Sequence, residues 1–209
     1  MGALRIPDPY TRYIFVDRNE ECTRALRSRI ATLPGSHDVT LLTGDVNDLV
    51  PRIKAAMPPF REKGLISFCF VDPFDVNVKL RTIRALSAYR MDFLVLLMLG
   101  LDARTNFRRY FEDPADTRIA DLIDAPDWRA EWQQASDKNV IRFLLRRFDE
   151  AMTGMGYRST TPDLMHHVRI PRKNVVIYTL VFYTRHELGE HLWKAALRSA
   201  DPQLGLALE

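Results

Sequence analysis

Four apolar runs in the first half of the chain constrain its fold more than any other feature. They read YIFVD (13–17), VTLLT (39–43), ISFCFV (66–71) and MDFLVLLMLG (91–100). Each is short and dominated by β-branched, aromatic or leucine side chains, the signature of a strand. The segments between them have helical spacing. Cys22, Leu26 and Ile30 recur every four residues before Pro34-Gly35-Ser36 breaks the pattern. A short helix is predicted over 49–56, stopped by Pro58-Pro59, and another over 79–88, with Leu80, Ile83 and Leu86 on one side. Strands that are apolar on both faces and alternate with amphipathic helices build a parallel sheet covered on both sides. The predicted fold class is therefore α/β, a Rossmann-like sheet with helices on both faces.

Three of these runs end in an acid: Asp17, Asp45 (in the turn TGDVND) and Asp72. Right-handed crossovers carry the carboxyl ends of parallel strands to one rim, and ligands of open α/β sheets bind at that rim. One crevice lined by three carboxylates is expected. The third end is the most distinctive. In ISFCFVDPFD a run read as a buried strand stops at Asp72-Pro73-Phe74. Proline donates no ladder hydrogen bond and keeps the residue before it out of helix, so the chain must turn there.

Composition sets the outer limits. At 209 residues the chain is read as one domain, 1–209, long enough for a full core. Hydrophobic content of 46% and charged content of 27% are those of an ordinary globular chain. The net charge of +3 permits an acidic or nucleic-acid partner without arguing for one. Cys22 and Cys69 lack metal-ligand spacing and are read as small core residues. No apolar run reaches the length of a membrane span and no signal-peptide pattern opens the chain, so a cytoplasmic protein is expected.

From 104 to 156 the sequence is charged and helical, without strand signals, and reads as an insertion. Val140, Leu144, Phe148 and Met152 repeat every four residues, so this helix packs against the body. Its other side carries Arg142, Arg146 and Arg147, which read either as a solvated face or as phosphate contacts, with Arg169, Arg172 and Lys173 as further candidates. Trp128 and Trp132, also four apart, read as docking residues. The C-terminal part returns to strand: 157–168 is weakly extended, 175–183 is a strong strand, and Leu188, Leu192 and Ala196 mark a last helix. His166 and His167 are adjacent on an extended segment and point to opposite faces, so no metal site is expected. His186 and His191 match no catalytic spacing.

The segments YIFVD, LLTGDVND, FCFVDPFD, APDWRAEW and IYTLVFYTRHELGEHLW, in this order and spacing, resemble the three-Cys-motif partner (TcmP) family, whose sheet resembles that of S-adenosylmethionine (SAM) methyltransferases. The likeness runs over about 13–197. It implies that Asp17 hydrogen-bonds the ribose hydroxyls of SAM, and that Asp45 and Val46 lie at the adenine. It implies that Asp72, Pro73 and Phe74 form the catalytic corner of an amino-group methyltransferase, in which the acid and a backbone carbonyl accept hydrogen bonds from the amine and the ring stacks on a base. It also implies a protein partner bearing a three-cysteine motif.

Each assignment has a structural alternative. Asp17 and Asp45 also suit helix N-caps, Asp72-Pro73 a plain turn and Phe74 a core position. The chain departs from the family pattern at two places. Asp75 stands where glycine usually follows the corner. Only 1–12 precede the first strand, and ALRIPDPYTR holds neither a strand nor a Gly-x-Gly loop. The resemblance places the missing strand between those ending at Asp17 and Asp72, so an N-terminally incomplete member is expected. Two functions remain open: a SAM-dependent methyltransferase acting on an amino group of nucleic acid or protein, and a non-catalytic partner protein that keeps the fold without the cofactor.

Overall fold

The computed structural model describes residues 2–35, 37–58, 65–170 and 175–200. Its contacts divide the chain into two compact units, Met1–Gly64 and Leu65–Glu209. The fold is mixed α/β, with its strands in two small sheets.

In the first unit, β1 (Tyr13–Asp17) and β2 (Val39–Thr43) run parallel, with Asp17 opposite Thr43. Helix α1 (Glu20–Ile30) connects them. Asn19 caps it by accepting from the amides of Glu21 and Cys22, and Glu20 and Glu21 occupy its first turn, where the helix dipole favours anions. The buried Thr23 hydroxyl meets that of Thr43 at 2.8 Å and pins helix to strand. Helix α2 (Val50–Ala56) carries proline in its first turn and buries Ile53 with Leu42, Leu49 and Tyr13. Cys22 is exposed, contrary to the core position expected of it. Its helix buries the face that carries Thr23 instead.

In the second unit the sheet order is β3-β4-β6-β5. Strands β3 (Ser67–Val71) and β4 (Met91–Leu97) are parallel and joined through α3 (Leu80–Ser87). The expected C-terminal pair is present as β5 (Met165–Ile170) and β6 (Val175–Tyr183), with β6 antiparallel to both its neighbours. Between β4 and β5 lies the helical insertion: α4 (Arg104–Glu112), α5 (Arg118–Ile123), α6 (Trp128–Gln134) and α7 (Val140–Thr153). As the spacing predicts, Leu144, Phe148 and Met152 of α7 are buried, and Trp128 is buried with them. The Phe148 ring lies against Tyr183 on one sheet face. On the opposite face α8 (Glu187–Ala200) docks through Trp193, whose ring meets Phe182 and whose indole N–H donates to the Leu164 carbonyl at 2.7 Å. Leu188 and Leu192, the stripe that predicted this helix, are exposed.

Two expectations need correction. The four N-terminal strands do not share one ladder: among the described residues β1 pairs only with β2, and β3 pairs with no strand but β4. Nor is β3 apolar on two buried faces. Its pattern alternates, with Phe68 43% and Phe70 50% exposed.

A π-helical turn, Leu99–Ala103, follows β4 and opens α4. It depends on Gly100, where an added Cβ would meet the Val176 carbonyl oxygen at 1.9 Å. No described helix is long and apolar enough to cross a membrane.

Candidate functional site

The first unit brings two of the predicted carboxylates to one rim. The Gly44 N–H donates to the Asp17 carbonyl at 3.0 Å, which ties the end of β2 to the end of β1. Gly44 holds φ +138, a backbone state that other residues rarely adopt, and this turns the chain directly into Asp45. Asp17 Oδ1 accepts the Asn19 N–H at 2.8 Å. Asp45 Oδ1 accepts both the backbone and the side-chain N–H of Asn47, each at 2.9 Å. Neither acid is a helix cap. Asn19 caps α1, and Leu49 precedes α2 without a side-chain cap bond. Each acid uses one oxygen to shape its own turn. Oδ2 of each takes no hydrogen bond among the described residues. Asp17 is exposed, and Asp45 and Val46 are half-buried.

The second unit carries the Asp-Pro-Phe corner. Asp72 is exposed and Pro73 half-buried, while Phe74 is 99% exposed, so the core reading of Phe74 does not hold. The loop around this ring is anchored at both ends. Val71 closes the ladder with β4, and Val76 and Val78 are buried. Asp75 accepts the backbone and side-chain N–H groups of Asn77, the second bond being short. A small apolar cavity beneath the loop is lined by Pro73, Val76, Val95, Leu97, Met98 and Phe148. The Asp75 carboxylate is thus engaged in a local turn with Asn77.

The loop has one further attachment, which sequence reasoning missed. The Val76 N–H donates to Asp102 Oδ2 at 3.0 Å, from 26 residues away. Asp102 Oδ1 in turn accepts from the Tyr110 hydroxyl at 2.7 Å and the Asn106 side-chain amide at 2.6 Å. Burial and the bond to Asp102 push the Tyr110 phenol up to about 12, so it stays a donor. The only trace in the sequence is the glycine of LMLGLDA, which marks a break after β4 but not its partner.

The basic helix is a different case. Arg142 pairs with Asp137, Arg146 with Glu150, and Arg147 with both Glu150 and Glu131. Burial works against the Glu150 carboxylate, but its bonds from Arg146 and Arg147 hold it below the usual range. These cations are engaged locally, as a solvated face would have them. Arg172 and Lys173 lie outside the described residues. Burial pushes the Cys69 thiol up to about 12, which leaves it an un-ionised packing group. His167 Nδ1 meets the buried Thr179 hydroxyl at 2.9 Å, and His186 Nδ1 accepts the Leu188 N–H at 3.1 Å as α8 begins. No cluster of three or more metal-ligating side chains occurs among the described residues.

No family model matches this chain, and no curated protein or solved structure matches it.

Proposed function

We propose that this protein is a SAM-dependent methyltransferase of the three-Cys-motif partner type, acting on an amino group of a nucleic acid or protein. The observation that carries this reading is Phe74. A phenyl ring 99% exposed, on a loop fixed at both ends and beside an exposed carboxylate, does no packing work. It suits stacking on a flat ligand, while Asp72 accepts the hydrogen bonds of an amine and so aligns the nitrogen.

The residues of the first unit fit the nucleoside half of SAM. Asp17 Oδ2 is available to both ribose hydroxyls and Asp45 Oδ2 to an exocyclic amine, with Val46 beside it. When bound, SAM would supply the methyl group. Within the first unit Asp17, Asp45 and Val46 would hold a nucleoside, and within the second Asp72 and Phe74 would orient an amine. The arginines of α7, already paired with acids, lend no support to a nucleic-acid acceptor over a protein one.

A second reading is favoured by one specific observation. Asp75 stands where the family pattern has a glycine after the corner. A partner protein that keeps the fold without binding SAM would show this pattern. Isothermal titration with SAM separates the two. Saturable binding that is lost in Asp17→Ala supports the methyltransferase. Absence of heat, together with stable association with a three-cysteine partner, supports the non-catalytic protein.

A further inference from the structure

We infer that Asp102 is a positioning residue that holds the 72–78 loop in the shape that presents Asp72 and Phe74. The inference rests on the methyltransferase reading for its catalytic consequence, but not for its structural one. The loop leaves β3 at Val71 and is next fixed to the protein at Val76. Only Asp72, Pro73, Phe74 and Asp75 lie between these two points. A span this short, with φ of Pro73 set by its ring, has few conformations once both ends are held. Val76 is 2% exposed, so its N–H cannot turn to water and needs a protein acceptor. Asp102 Oδ2 is that acceptor.

Asp102 is itself held. Its other oxygen accepts from Tyr110 and Asn106 of α4, and the Tyr110 side chain is buried. The π-helical turn brings Asp102 to this place, and that turn requires the close approach of Gly100 to Val176 of β6. π-Helical turns are rare and occur frequently at functional sites. A line of contacts thus runs from β6 through Gly100 and Asp102 to the corner.

The test compares Asp102→Ala, Asp102→Asn and Tyr110→Phe in the full chain. Amide hydrogen exchange is followed residue by residue. In Asp102→Ala the Val76 amide should exchange about tenfold faster or more, while the amides of β4 and β6 keep their rates. Asp102→Asn should retain most of the protection, because its carbonyl oxygen can face Val76 and its amide can donate to the Tyr110 hydroxyl and, once the Asn106 amide turns over, to Asn106 Oδ1. Tyr110→Phe should fall between. In parallel, methyl transfer from labelled SAM is measured to a mixed-sequence oligonucleotide and to a lysine-rich peptide. Turnover should drop about tenfold in Asp102→Ala and recover to within about threefold in Asp102→Asn, at unchanged SAM affinity. Unchanged Val76 exchange in Asp102→Ala, or equal acceleration across the whole sheet, overturns the inference. If the wild-type protein binds SAM but the Asp102→Ala turnover is unaffected, the positioning role is likewise refuted. If the wild type transfers no methyl group to either acceptor, the methyltransferase reading loses its support, and the exchange result still decides whether Asp102 fixes the loop.

Discussion

The backbone N–H of Gly44 donates to the carbonyl of Asp17 across the ends of two parallel strands, at 3.0 Å. This one bond makes neighbours of two acids 28 positions apart in the chain. It follows from the in-register pairing of Asp17 with Thr43 and from the φ of +138 at Gly44. The two turns leave one oxygen of each carboxylate without a bond from any other described residue.

Removing those oxygens as acceptors should weaken cofactor binding. Asp17→Asn keeps an oxygen for the Asn19 N–H but turns the outer atom into a donor. SAM affinity should fall about tenfold or more, as expected for loss of a charged hydrogen bond. Titration calorimetry on Asp17→Asn and Asp45→Asn measures this, with thermal melting to show that the fold is intact. An unchanged dissociation constant in both variants removes these acids from the site.

Phe74 should be separable from stability. Because the ring is almost fully exposed, Phe74→Ala should change stability by no more than about 0.5 kcal/mol. Methyl transfer should nevertheless drop sharply, as it should in Asp72→Ala. A large fall in melting temperature with normal activity per folded molecule would mean that the corner is only a turn.

Gly100 should tolerate no side chain. The Cβ of Gly100→Ala would meet a backbone oxygen at 1.9 Å, so β6 or the π-helical turn must shift. A cost of about 1–3 kcal/mol is expected. For a chain of this size, each 1 kcal/mol corresponds to a drop of roughly 2–4 °C in melting temperature. Calorimetry checks the shift, and a melting temperature equal to wild type would contradict the close approach.

Acid should loosen the docking of α8 in a defined window. Bonds from Lys194 and Arg158 outweigh the partial burial and bring the Glu190 carboxyl from its ordinary 4.5 down to about 2. A depressed carboxyl contributes stability that is present above its unfolded value and lost as pH falls through the folded one. Stability should therefore decline progressively between about pH 4.5 and about pH 2. Glu190→Gln should flatten the decline over that range. Denaturant melts at several pH values, with exchange of the Trp193 indole N–H followed by NMR, would reveal the difference.

The arginines of α7 should not behave as phosphate contacts. Replacing Arg142, Arg146 and Arg147 together with Gln should leave the salt dependence of any oligonucleotide binding unchanged. The loss of the exposed ion pairs of Arg142 and Arg146 should cost only about 0.2–1 kcal/mol each. A clear flattening of the salt slope in the triple variant would reassign the helix as a binding surface.

What the sequence determined by itself is the part of the fold that depends on near neighbours. The period of four through Leu144, Phe148 and Met152 is a property of one helix, and it predicts which side of α7 is buried. The strand runs, the proline stops and the acids at strand ends are equally local. So is the rigidity of Asp72-Pro73, which follows from a ring closed on its own backbone. Tertiary structure decided whatever depends on a partner distant in the chain. Phe68 and Phe70 have the composition of buried strand residues, yet they are half exposed, while Phe182 of β6 is the ring that Trp193 of α8 meets. Arg147 looks like a free cation until Glu131, 16 positions earlier, meets it. Asp102 resembles any surface acid until the Val76 N–H reaches it from another turn. Periodicity records which face of an element avoids water, since that is written along one chain segment. It does not record which element, or which acceptor, will cover that face, because the answer lies in a contact closed only when the chain folds.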